Sequence, residues 1–186
     1  MEFEGLIKKE QGKFITRYDL TYKTGDGEKK VYEMISRDKD IKSFDELHNR
    51  DADAVVLIMH SEDGQKILIN KEFRLAPGEW VYNFPAGLID EGEDYKTAAE
   101  RELREETGLK LISVDDFINE SYSAVGFSNE KNVCVVGKCS GEITGSDSAL
   151  EEIEAAWYTK EEVGKLLKTE KFAARTQAYC YLWSKE

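Results

Sequence analysis

The chain has 186 residues, a formal net charge of −12, and 40% hydrophobic and 11% aromatic residues. That composition excludes a disordered polymer and provides for one substantial core with an appendage. So acidic a surface argues against nonspecific binding to nucleic acid or anionic membranes, and neither is expected as a partner.

Residues 1 to 48 read as a small β extension, and residues 49–186 as the main domain. In the extension, Lys13 to Tyr22 is rich in strand formers, and Thr24-Gly-Asp-Gly27 supplies turn chemistry. Lys30 to Ser36 reads as the returning strand of a hairpin. A lone hairpin is marginal and needs something to pack on. Ser43 to Leu47 is a short helical turn that leads into the main domain.

Ala52 to His60 is a nearly continuous apolar run, suited to a strand buried on both faces. Lys66 to Arg74 is the next strand, Trp80 to Phe84 another, and Pro85-Ala-Gly87 turns the chain. A helix is expected from an Asp94 N-cap to Thr107, with Gly108 as its stop. Leu109 to Ile118 and Glu120 to Val125 read as two strands, and Lys131 to Lys138 as a clearer one. Ser140 to Ala149 is a Gly- and Ser-rich loop that delivers a strand from Leu150 to Tyr158. Short helices follow at Lys160 to Leu167 and Ala173 to Trp183. This order predicts an α/β fold, a mixed sheet with helices on both faces. Cys134, Cys139 and Cys180 lack metal-site spacing, and Met1-Glu-Phe-Glu4 lacks a signal pattern. Reduced thiols in a cytoplasmic protein are the expectation.

The helix from Asp94 to Thr107 carries the chemistry. Tyr95, Ala98, Ala99 and Leu103 recur at helical spacing and mark its buried face. Glu102 and Glu106 fall among them, on the inward side, with Glu105 at the margin. Thr97, Glu100, Arg104 and Thr107 are assigned to the outward face. Two inward carboxylates four residues apart repel each other and lose hydration unless a cation meets them. A hard divalent metal is the obvious candidate, because Mg²⁺ takes oxygen ligands. The bland alternative is a solvated acidic face.

The surroundings favour the metal. Gly87, five residues, Glu93, seven residues, then Arg101-Glu102-Leu103-x-Glu105-Glu106-x-Gly108-Leu109 resembles the signature of the Nudix hydrolases. The resemblance implies a Nudix-type α/β/α sandwich that splits a nucleoside diphosphate linked to another group, using Mg²⁺ or Mn²⁺. It implies Glu102 and Glu106 as direct ligands, Glu105 sharing or bridging, and the Ala86 carbonyl joining them. Glu93 either reaches the metal through water or favours the helix start. Arg101, four residues before Glu105, is expected to hold that carboxylate in place.

Lys71-Glu-Phe-Arg74, Asn83-Phe-Pro-Ala-Gly-Leu-Ile-Asp90 and Gly126-Phe-Ser-Asn-Glu-Lys131 are similar to the ADP-ribose pyrophosphatase branch. That resemblance implies a nucleotide-sugar substrate and a homodimer with an exchanged N-terminal hairpin, whose aromatic rings sandwich adenine. Phe14 and Tyr32 stand at the matching places; ordinary hairpin packing is their alternative. Arg37 and Arg74 match positions that hold phosphates or the terminal ribose, a role suited to guanidinium. Many members of that branch carry Pro about sixteen residues beyond the motif, where this chain has Ala124-Val125-Gly126. The branch also takes its general base from a late mobile loop, which points to Glu151, with Glu152 in reserve. Other nucleotide-sugar or dinucleotide diphosphatases are the alternative, as is a sensor that binds such a ligand without turnover.

Overall fold

The computed structural model describes residues 1–146 and 151–186. Residues 147–150, which hold the end of the expected late loop and the start of the strand after it, lie outside the described residues. Chain contacts divide the protein into two compact units. The first is Met1–Asp53 with Glu120–Asn132, and the second is Ala54–Asn119 with Val133–Glu186. The sequence reading places its division after residue 48 and keeps residues 120–132 with the main domain.

In the first unit, β1 (Glu2–Gln11), β2 (Thr16–Lys23) and β3 (Lys29–Ser36) form an antiparallel sheet in that order. The expected hairpin is therefore β2 and β3, and β1 is an additional strand. Its run of Lys8, Lys9 and Glu10 hides the pattern, and charge of that kind is how exposed edge strands avoid pairing with other chains. Tyr18, Leu20, Met34, Ile41 and Leu47 form a small core, with Leu47 supplied by α1 (Phe44–His48). Residues 120–132 close this unit. Ile35 N–H donates to Phe127 O at 2.8 Å, and Asn129 Nδ2 donates to Leu47 O at 3.1 Å.

In the second unit the strands are β4 (Ala54–His60), β5 (Lys66–Arg74), β6 (Glu79–Asn83), β7 (Ala86–Leu88) and β10 (Ile153–Thr159). They join β8 (Lys110–Tyr122) and β9 (Lys131–Ser140), two strands whose ends run into the first unit. Among the described residues the order is β10-β5-β4-β9-β8, with β6 on β5 and β7 on β4. β8 is one strand of 13 residues, where two were expected. Its polar residues Asp115, Asp116 and Asn119 break the apolar pattern without ending the strand, because it lies at the end of the sheet.

The sheet has α2 (Tyr95–Thr107) on one face and α3 (Lys160–Thr169) and α4 (Ala174–Trp183) on the other. β4 shows why its sequence is apolar throughout. Val55, Leu57 and Met59 pack with Ala98, Ala99 and Leu103 of α2, while Val56 and Ile58 pack with Val163 and Trp183. The expected α/β/α sandwich with a mixed sheet is the fold observed. No helix among the described residues is long and apolar enough to cross a membrane. Cys134, Cys139 and Cys180 are free and buried, as expected.

Candidate active site

The site is built around α2. Asp94 caps it by accepting from Thr97 N–H at 2.7 Å, and Gly108 ends it in the left-handed region at φ 76°. Ala98, Ala99 and Leu103 are fully buried against the sheet. Glu106 comes inward with them, only 8% exposed, and Glu102 is partly buried. Thr107 is also fully buried, which corrects its assignment to the outward face. Its hydroxyl donates to Leu103 O at 2.5 Å, and Thr144 N–H donates to Thr107 O at 3.1 Å. The cover comes from a distant segment, so helix phase could not reveal it.

Glu106 accepts from Asn70 Nδ2 at 2.8 Å. Burial, with the neighbouring charges of Glu72 and Glu102, pushes its carboxyl up to about 8; the Asn70 bond works against this by favouring the anion. Glu102 is also raised by burial, opposed by Arg101. Gly87 of β7 makes room for Glu102: a β-carbon there would lie 1.9 Å from the Glu102 carboxyl carbon.

Arg101 binds more than the expected Glu105. It donates to both oxygens of Glu93 at 2.9 Å, to Glu102 at 2.7 Å, to Leu88 O at 2.8 Å and to Glu105 at 3.4 Å. These bonds, with a further donor from Asp90 N–H, lower the Glu93 carboxyl to about 2. Arg101 itself is raised, first by Glu93 and then by Glu102. Glu93 is thus an anchor for Arg101 in this structure. Glu105 is shared between Arg101 and Arg104.

A cavity of about 340 Å³ opens beside Glu106, lined also by Ala86, Glu72, Arg74, Glu151 and Glu152. Of the expected site residues, Ala86, Arg74, Glu106, Glu151 and Glu152 therefore come together. The Glu151 charge is close enough to help raise both Glu102 and Glu106. Phe14, Tyr32 and Arg37 belong to the first unit. There Lys13 Nζ lies 4.9 Å from the Phe14 ring, Tyr32 donates its hydroxyl to Gly126 O, and Arg37 pairs with Glu130 at 2.5 Å.

The donors about Glu102 and Glu106 are carboxylates, the hard oxygen type that suits Mg²⁺ or Mn²⁺, and Ala86 lines the same cavity. The Gly87 hollow and the buried Glu106 carboxylate fit such an ion. Among the described residues, no three acidic, His or Cys side chains already stand as a ligand group. Glu102 and Glu105 face arginines, Glu102 accepting from Arg101 through Oε1 alone, and Glu105 from both Arg101 and Arg104.

Asn70 and Glu72 escaped the sequence reading. They sit at alternate positions of β5, in a stretch that reads as ordinary strand. The available signal was period two: Leu68 faces α2, so Asn70, Glu72 and Arg74 share its side.

A family model for the NUDIX domain matches residues 50–180. The ADP-ribose pyrophosphatase of Saccharomyces cerevisiae is 36% identical over 129 residues, 67% of this chain and 52% of that protein. The ADP-sugar pyrophosphatase of Mus musculus is 32% identical over 106 residues, 54% of this chain and 44% of its own. The human NAD-capped RNA hydrolase NUDT12 is 29% identical over 137 residues, 71% of this chain and 28% of its own. The chain spans about half the length of the first two relatives, or less. A crystal structure of an ADP compounds hydrolase superposes with a TM-score of 0.75 at 19% identity, covering 100% of this chain and 94% of the other.

Proposed function

Because the chain belongs to the Nudix family, we propose that it hydrolyses the pyrophosphate of a nucleoside diphosphate sugar, with ADP-ribose the leading substrate. The observation that carries this reading is the cavity where Glu106, Ala86, Arg74 and Glu151 meet. It gathers carboxylates and the Arg74 guanidinium around one small volume. The relatives named for ADP-ribose and ADP-sugars support the substrate class.

In this reading Glu102, Glu106 and the Ala86 carbonyl hold the divalent ion, with Glu105 sharing. The ion, Mg²⁺ or Mn²⁺, neutralises pyrophosphate charge and acidifies water when bound. Arg101 keeps Glu102 and Glu105 in place, itself anchored by Glu93. Arg74 holds a phosphate through paired N–H donors. Glu151 takes a proton from the attacking water, with Glu152 next to it in reserve. The new P–O bond forms at one phosphorus as the bridging P–O bond breaks, yielding AMP and ribose 5-phosphate.

The first unit supplies the adenine end. Tyr32 pairs with Leu20, and Thr16 pairs with Ser36 four residues further along, with Phe14 beyond it. That offset is about 13 Å of strand, whereas a base between two rings needs them roughly 7–8 Å apart. In this reading Phe14 of one chain and Tyr32 of another flank adenine, in a homodimer with an exchanged N-terminal hairpin. Arg37 keeps the role that the family resemblance gives it, toward the phosphates or terminal ribose. The free, buried thiols of Cys134, Cys139 and Cys180 support a reducing compartment, and a cytoplasmic location is part of this reading.

The decisive experiment offers ADP-ribose, ADP-glucose, UDP-glucose, NADH and diadenosine polyphosphates with Mg²⁺ or Mn²⁺. Release of AMP and ribose 5-phosphate from ADP-ribose at the highest kcat/KM is expected. Failure to cleave any of them overturns the reading.

A further inference from the structure

A directed chain of hydrogen bonds runs from the last helix into the cavity wall. Phe84 N–H donates to Thr176 Oγ1 at 3.1 Å, and Thr176 Oγ1 lies 2.8 Å from Asn83 Oδ1. Asn83 Nδ2 donates to Glu72 Oε1 at 2.9 Å, and Glu72 Oε2 faces the Arg74 guanidinium at 3.4 Å. The direction is fixed at each step. A carboxylate only accepts, so the Asn83 amide turns its NH₂ to Glu72 and its oxygen to Thr176. The Thr176 hydroxyl accepts from the Phe84 backbone and so has its proton free for that oxygen.

The chain is buried where rigidity matters. Thr176 is fully buried and Glu72 is 7% exposed. Arg74, by contrast, is mostly exposed, and its contact with Glu72 is the one ion pair recorded for it among the described residues. A long, exposed arginine samples many rotamers, and fixing it before substrate arrives lowers the entropic cost of binding. Asn70, Glu72 and Arg74 alternate along β5, and Asn83 is the cross-strand partner of Asn70. The sheet face thus presents Glu72 to Arg74 from a position that cannot drift.

We propose that Glu72, held by the Thr176–Asn83 pair, is a positioning residue that aims Arg74 at the substrate's phosphates, so that a threonine on α4 tunes substrate affinity from outside the cavity. This rests on the phosphate role given to Arg74 above. The test compares Thr176→Val, which keeps shape and loses the hydroxyl, with Thr176→Ser, which restores it, and with Glu72→Gln. Each is assayed in the full-length chain for KM, kcat and melting temperature.

Thr176→Val and Glu72→Gln should each raise KM for ADP-ribose roughly three- to tenfold, with kcat within about twofold, as expected for one weakened charge-assisted contact. Thr176→Ser should stay near the parent. A Thr176→Val variant that melts earlier but keeps its KM makes Thr176 a mere tie between helix and sheet, and overturns the proposal. A Glu72→Gln variant that loses kcat at constant KM also overturns it, because Glu72 then acts on the chemistry. If the parent cleaves nothing, the functional reading fails, and the relay is judged by calorimetric binding of ADP-ribose instead. Weaker binding by Thr176→Val than by Thr176→Ser supports the relay there. Equal binding, or none by the parent, removes it.

Discussion

Gly87 lies so close to Glu102 that a β-carbon on it would stand 1.9 Å from the carboxyl carbon and about as near both oxygens. The side chain must therefore move if Gly87 becomes alanine. Glu102 is tied to Arg101 at 2.7 Å, and that arginine is tied to Glu93, so the displacement spreads through the cluster. Gly87→Ala should fold, because β7 is a short strand beside a movable side chain, yet lose about 10²-fold in kcat, as misplaced catalytic groups do. Turnover assays alongside a thermal melt check this. Normal turnover would mean that Glu102 can leave its position at no cost.

Asn70 should control Glu106. Its amide donates to one carboxylate oxygen at 2.8 Å, while its own oxygen has no partner among the described residues. Residues that orient metal-binding side chains typically change metal affinity by 10–100-fold when replaced. Asn70→Leu should raise the Mn²⁺ concentration for half-activation by roughly tenfold or more, and weaken Mn²⁺ binding measured by electron paramagnetic resonance. An unchanged Mn²⁺ titration would leave Asn70 as packing alone.

These two cases show what could be read from sequence. The limits of α2 were legible because Asp94 and Gly108 act locally, one through a side-chain cap and the other through its left-handed backbone. The inward turn of Glu106 followed from helical phase. Thr107 did not, because Thr144 covers it from a remote segment. Nor did Asn70 and Glu72, whose partners Glu106 and Asn83 lie on other elements. Arg101 was legible only in part. The four-residue spacing pointed to Glu105, while the loop brings Glu93 and Leu88 O to the same guanidinium. Local chemistry was readable, and contacts across the fold were not.

The general base is open to a paired test. Glu151 and Glu152 both line the cavity, and the Glu152 carbonyl accepts from Phe73 N–H at 3.0 Å, which ties its backbone to β5. Glu151→Gln should cost about 10²–10⁴ in kcat with little change in substrate binding, whereas Glu152→Gln should cost far less. Single-turnover kinetics with ADP-ribose separates the two. The reverse ranking would move the base one residue along.

His60 sets a pH limit on stability. It is packed beside Trp183 and hydrogen-bonded to Tyr179 at 3.1 Å, and burial lowers its proton affinity. The unfolded chain therefore binds the proton more readily than the folded one. Stability present above pH 6.5, the ordinary histidine value, is lost as the pH falls below it. Between pH 7.5 and 5.5 the melting temperature should fall further in the parent than in His60→Gln. Parallel melts at the two pH values measure it, and equal falls in both proteins would remove His60 as the cause.

The first unit is completed by residues 120–132, which return to it after the chain has built much of the second. On a ribosome, the N-terminal sheet is finished long before Phe127 and Asn129 exist to bond Ile35 and Leu47. Synthesis proceeds at about 5–20 residues per second, so roughly 80 further residues impose a wait of about 4–16 s. Through that interval three strands and an incomplete core stand open. The edge left open through that interval is that of β3, where Ile35 waits for Phe127, while Lys8, Lys9 and Glu10 already charge the outer strand β1.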